Sequence, residues 1–148
     1  MTMELDWSCG ELAEGLRCYC AEEFFLAHEH WELVWLRLPE PEKTFLQALI
    51  QVAAAFHHLQ RGNRQGAESL LRHAQRRMEP LPDVFGGIAV EPLRRQIEER
   101  LSALEARDMP LLRLASPQIQ PARTRSSDVG VPAKRGFPSG MTNKGSYT

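Results

Sequence analysis

Gly62 and Asn63 constrain the fold of this chain more than any other pair of residues. On either side of them runs a long segment whose apolar residues recur at helical spacing. Between the two segments a glycine can end one helix and an asparagine can cap the next. Upstream, from Glu42 to about Arg61, Phe45, Leu49 and Phe56 share one side, and Gln47, Gln51, Ala54, Ala55 and His58 share the other. Large residues on one face and small or polar ones on the opposite face predict a helix buried on both sides, with the alanines admitting a close neighbour. Downstream, Ala67, Leu70, Leu71, Ala74 and Met78 repeat at i, i+3, i+4, i+7 and i+11. Helices joined by two residues run antiparallel, so the spacing predicts a helical hairpin.

The rest of the chain extends this pattern. Ser8-Cys9-Gly10-Glu11 reads as a capping box, opening a first helix to about Tyr19 with Leu12, Leu16 and Tyr19 on one side. A joint at Cys20 to Glu23 precedes a second helix that runs to about Leu38, where Pro39-Glu40-Pro41 stops it. Glu22 and Glu23 suit the positive start of that helix. Pro80 and Pro82 open a loop reaching Gly86-Gly87, and Pro92, as first helical residue, starts a fifth helix to about Arg107 with Leu93, Ile97, Leu101 and Leu104 inward. Pro110 to Leu114 is expected to lie extended on the bundle. The expected fold class is all-α, a compact five-helix bundle over residues 1–115. No repeat of fixed period is evident; Ala54 through Leu71 has a tetratricopeptide-like flavour confined to one hairpin.

Charge and texture change together near residue 116. Residues 1–115 carry 13 Lys and Arg against 18 Asp and Glu, net −5, whereas residues 116–148 carry 5 against 1, net +4. Pro, Gly, Ser and Thr dominate the second stretch without periodicity, so it reads as a basic, disordered C-terminal tail. No apolar run approaches the roughly 20 residues needed to span a bilayer, and the acidic N-terminus has no secretory pattern. The cytoplasm is the expected location. Cys9, Cys18 and Cys20 lack metal-knuckle spacing and read as reduced, mostly buried thiols. Arg61, Arg64, Arg72, Arg76 and Arg77 cluster around the hairpin without groove-reading elements beside them, which disfavours nucleic acid as a partner. Gly86-Gly87 lacks the spacing of a phosphate loop. No partner is named by the sequence; a homo-oligomer is compatible with it.

The chemistry concentrates in the second helix. At about 100° per residue, His28 and Glu32 fall on one face with Trp35 a turn further on, and Phe24, Phe25, Trp31 and Leu38 are expected on the same inward face. An imidazole and a carboxylate inside an aromatic stripe need partners, because burying them alone costs several kcal/mol, on the order of 2–7. The spacing is not the His-Glu-x-x-His of zinc proteases, since position 32 is Glu. A His and a carboxylate at i, i+4 can still supply two ligands to one metal. If the Gln51/His58 face of the third helix packs against the second, His28, Glu32 and His58 can converge as ligands of a divalent metal ion. Gln51, Trp31 and Trp35 would then line a pocket for a small polar ligand. The structural alternative pairs Glu32 with an arginine such as Arg72 and His28 with a carbonyl or Gln51. His57 is expected to face solvent.

These residues resemble the bacterial and archaeal family called domain of unknown function 309, whose hallmark is His-x-x-x-Glu-x-x-(Trp/Tyr), here His28, Glu32 and Trp35 after Phe24-Phe25-Leu26-Ala27. Leu49-Ile50-Gln51-Val52-Ala53-Ala54-Ala55 and the Gly62-Asn63-x-x-Gly66-Ala67 turn are similar to it as well, so the resemblance covers about residues 11–105. It implies an all-helical domain and a metal at the motif, and it implies no particular activity. Cys18-Tyr19-Cys20 departs from the Asn/Gly-like joint expected before the motif helix. Two functions are therefore expected: a metal or small polar ligand site between helices two and three, hydrolytic if catalytic, or a non-catalytic helical interaction module in which the His-Glu-Trp motif is structural.

Overall fold

Proline and glycine punctuation divides the chain much as its periodicity predicts. A computed structural model describes residues 5–106 and 114–122. Its helices are α1 (Gly10–Cys20), α2 (Phe24–Trp35), α3 (Glu42–Gln60), α4 (Arg64–Met78) and α5 (Val90–Ala106). The fold is all-α apart from one small hairpin. Helix α3 is central: it packs against both α2 and α4, and eleven of its nineteen residues are buried, which matches the two-sided burial expected of it. Helix α1 lies on α2, and α5 on α4.

The turn at Gly62-Asn63 forms as its residues dictate. Gly62 adopts φ +80°, a left-handed conformation that costs a Cβ-bearing residue about 1–2 kcal/mol. Asn63 N–H bonds to the His58 carbonyl at 2.8 Å, and Asn63 Oδ1 accepts from Gly66 N–H at 2.9 Å, capping α4. The α1–α2 joint repeats this turn forty residues earlier. Glu22 takes the left-handed position with φ +63°, and Glu23 N–H bonds to the Cys18 carbonyl at 2.8 Å. Burial follows the same offset: Leu12 and Val52, Tyr19 and Leu59, Ala27 and Ala67, Trp31 and Leu71, Leu38 and Met78 are all in the core. The two hairpins are thus one architectural unit used twice, although among these pairs only Ala27 and Ala67 are the same residue.

That correspondence locates a stored cost. A glutamate occupies at position 22 the conformation that position 62 gives to glycine, and its side chain is exposed. Replacing Glu22 by Gly should relieve it and raise stability by about 0.5–1 kcal/mol, after the extra chain entropy of glycine is subtracted. The measurement is a urea titration: the midpoint should rise with an unchanged slope, and an unmoved midpoint would show that the turn bears no strain.

Three features differ from the sequence reading. Ser8 does not cap α1: its Oγ and backbone N–H both bond to Asp6 Oδ1, at 2.6 and 2.9 Å, and the helix starts at Gly10 after an extended Cys9. Glu11, expected to reach back to Ser8, instead meets His30 Nδ1 at 2.6 Å. The expected loop before α5 holds an antiparallel hairpin of β1 (Val84–Phe85) and β2 (Ile88–Ala89). Gly86 and Gly87 form its turn, both with positive φ, as a two-residue connection of this kind requires. Trp7 Nε1 donates to the Gly86 carbonyl at 2.7 Å, and α5 begins at Val90, two residues before Pro92.

The third difference concerns the tail. Residues 114–122 lie along the domain: Ala122 N–H bonds to the Gly87 carbonyl at 2.8 Å and Ala89 N–H to the Gln120 carbonyl at 2.9 Å, with Pro121 bridging Ile88. Ile119 is buried, and the Tyr19 hydroxyl donates to the Pro117 carbonyl at 2.5 Å. Burial holds that phenol protonated well above its ordinary range. The boundary expected between residues 115 and 116 therefore falls inside an ordered strap. Most of the segment expected to lie extended, 110–113, and the remainder of the expected tail, 123–148, lie outside the described residues.

Candidate functional site

The motif residues sit at the edge of the core, not in its middle. The buried arc of α2 is Phe24, Ala27, Trp31 and Val34, continued by Leu38. His28 and Trp35 flank that arc on the α3 side and are partly buried; Glu32 lies further round, with its side chain 51% exposed. Phe25, expected inward, points to solvent. Eight of the twelve α2 residues are apolar, so hydrophobicity alone does not fix which arc turns inward.

His28 Nε2 lies 3.5 Å from Glu32 Oε2, an ion pair when the imidazole is protonated. His28 Nδ1 is buried without a hydrogen-bond partner, as is Trp35 Nε1. The ring of Phe25 stacks on His28 at 5.8 Å and reaches His57 at 5.5 Å. His57, expected to face solvent, is half-buried there; burial, then the nearby Arg61, His58 and His28, lower its proton affinity.

The other expected site residues are engaged elsewhere. His58 Nδ1 lies 3.0 Å from the Asn63 amide nitrogen. Because Asn63 Oδ1 already accepts from Gly66, that contact makes Nδ1 the acceptor and ties His58 to the α3–α4 turn. Gln51 Oε1 accepts from Arg77 Nε of α4 at 3.1 Å. Trp31 is fully buried and donates from Nε1 to the Leu12 carbonyl at 3.2 Å, so it packs toward α1 rather than walling a pocket. Among the described residues no three His, Cys, Asp or Glu side chains are grouped to hold one metal ion. The expected convergence of His28, Glu32 and His58 is not formed. Arg72, the alternative partner for Glu32, pairs with Glu105 of α5. Of the three thiols only Cys18 is buried.

A cavity of about 170 Å³ opens beside the last motif residue. Trp35, Glu40, Lys43, Thr44, Gln47 and Arg77 line it, where the end of α2, the proline link, α3 and α4 meet. Lys43 Nζ stands 4.5 Å above the Trp35 ring, a cation–π arrangement. Glu40 Oε1 accepts from Thr44 N–H at 3.1 Å and from its hydroxyl at 2.6 Å, capping the start of α3. Of these residues only Trp35 was singled out as a site residue from sequence. Gln47 belongs to the polar face of α3 noted there, whereas Lys43 and Arg77 come from different helices and share no sequence signal.

No helix among the described residues is long and apolar enough to cross a membrane. The chain is 33% identical over 103 residues to a protein of Aquifex aeolicus (strain VF5) described as uncharacterized; the aligned region is 69% of this chain and 31% of that protein. The chain therefore spans about a third of that relative's length. Residues 12–70 match the family described as domain of unknown function (DUF309). The match begins within α1, takes in the His28–Glu32–Trp35 motif and both left-handed turns, and ends within α4. The similarity to the DUF309 family is thus carried by this paired-hairpin core, residues 12–70.

Proposed function

We propose that the cleft beside Trp35 binds a small oxyanion-bearing molecule, a carboxylate or a phosphate, without a chemical step assigned to it. The observation that supports the reading is the pairing of two cations, Lys43 and Arg77, in one cavity that Trp35 also lines. Arg77 spends Nε on Gln51, fixing its guanidinium and leaving the terminal nitrogens to a ligand. Glu40, the single carboxylate of the lining, has Oε1 occupied by Thr44. The volume suits a molecule the size of a benzene ring, which a cavity of about 150 Å³ accepts. A metal-dependent hydrolysis would need His58 to leave Asn63 and cross to His28, and the reading adopted uses no metal.

Calorimetric titration with inorganic phosphate and with succinate tests it and separates the two ligand sources. Saturable binding in the range of about 0.1–5 mM is expected for one of them. Lys43→Met and Arg77→Met should each weaken it about tenfold, a charge-assisted hydrogen bond being worth about 1.5–3 kcal/mol. His28→Ala should leave it unchanged. Absence of saturable binding by either anion would refute the reading, and zinc binding lost in His28→Ala would return the site to the motif.

A further inference from the structure

Helix α2 is apolar on its outer side as well as its inner one. Phe25, Leu26, Leu33 and Leu36, on and just after the helix, are 51%, 48%, 54% and 64% exposed, and they fall on one arc about 100° wide. A helix apolar all round is normally enclosed by protein or lipid. Twelve residues are too few to span a bilayer, for which about 20 are needed. The stripe is also held in place: Phe25 packs its ring against His28 and His57 instead of extending freely.

The charges around the stripe specify its occupant. Glu29 lies inside the arc and Glu32 at its edge, and Glu22 and Glu23 stand at the N-terminal end, all exposed; among the described residues the exposed cations nearby are Arg37 at the other end, Arg61 beside His57, and Arg17 near Glu23, itself paired with Glu14. His30, on the remaining flank, is paired with Glu11. We infer that the outer face of α2 is a docking surface for a basic amphipathic helix of a partner protein, whose apolar stripe covers the four side chains and whose Lys or Arg flanks meet the four carboxylates. The surface lies on the opposite side of α2 from the core and is independent of the anion cleft.

The test uses the full chain and two labelled peptides of about 18 residues with the same leucines at i, i+3, i+4 and i+7, one carrying lysines between them and the other glutamates. Fluorescence anisotropy should give saturable binding of the lysine peptide, weakening steeply with salt, and at least about tenfold weaker binding of the glutamate peptide. The double variant Leu33→Ser/Leu36→Ser should lose about tenfold or more in affinity with an unchanged circular dichroism melt, because both side chains are exposed in the folded chain. Glu29→Lys/Glu32→Lys should reverse the preference between the peptides. Lys43→Met should leave peptide binding intact, which separates failure here from failure at the cleft. Equal affinity for both peptides, or no binding of either, would overturn the proposal. So would a sedimentation-velocity dimer abolished by the leucine variants, which would assign the face to a second copy of the chain.

Discussion

Replacing Trp31 by alanine is expected to cost about 3–5 kcal/mol of folding stability, the largest single-residue effect anticipated in this protein. Trp31 is fully buried and joins the N-terminal segment, α1 and α2: its ring meets Trp7 edge-on at 6.1 Å and Tyr19 at 5.9 Å. Its Nε1 satisfies the Leu12 carbonyl. Gly15 shows how closely α1 fits this side chain, since a Cβ there would lie 2.3 Å from Trp31 Nε1. Truncation would remove the transfer energy of an indole and leave a cavity between two helices whose backbones are already close. The neighbouring Trp7 ring is held by its bond to the Gly86 carbonyl, which opposes collapse into that space. Against a total stability of about 5–15 kcal/mol, the loss should lower the thermal midpoint by more than about 10 °C. Urea unfolding followed by circular dichroism reads it directly. A loss below about 1 kcal/mol would mean that the α1–α2 contact does not depend on this indole.

The sequence displays helix boundaries more clearly than helix orientation. Pro39, Pro41, Gly62 and Asn63 act through local backbone geometry, so α3 and α4 are readable to within a residue or two. The second left-handed turn was not readable, because Glu22 has no propensity for the conformation that Gly62 adopts freely. The forty-residue correspondence between the hairpins is hidden for the same reason: the paired positions share burial and not residue type. Orientation fails at α2, where apolar residues occupy both arcs. The inward side is chosen by Gly15 and Leu12 of α1 accepting Trp31, a contact nineteen or fewer residues away in the chain that leaves no periodic trace. His28, Glu32 and Trp35 were recognisable as unusual from their spacing. What each one faces depends on side chains from other helices: Lys43 over Trp35, Asn63 on His58, Arg77 on Gln51. The motif singles out α2, but the cations that line the cleft beside Trp35 lie in the next two helices.

Ile119→Ala should destabilise the domain by about 2–4 kcal/mol, although composition places this residue in a disordered tail. Basic and Pro-rich composition argues against a segment forming its own core; it does not prevent the segment from completing one made by other elements. Ile119 is only 6% exposed, and Leu114, nearer the start of the strap, packs partly against the same core. The strap is fastened on both sides of Ile119. Gln118 N–H bonds to Gln96 Oε1 of α5 at 2.9 Å, and the Gln120 carbonyl accepts from Ala89 of the β-hairpin at 2.9 Å. Arg100 Nε reaches the Ala115 carbonyl at 2.8 Å, so the polar groups of the strap draw on α5 along its length. Deleting the apolar side chain while these bonds persist would leave a cavity that the fastened backbone cannot close, which is the condition for the upper part of the range. Ile119→Val, which removes one methylene, should cost about 0.5–1.5 kcal/mol. The graded pair measured by urea unfolding would show Ile119 acting as a core residue, and two values indistinguishable from zero would place residues 116–122 outside the cooperative unit.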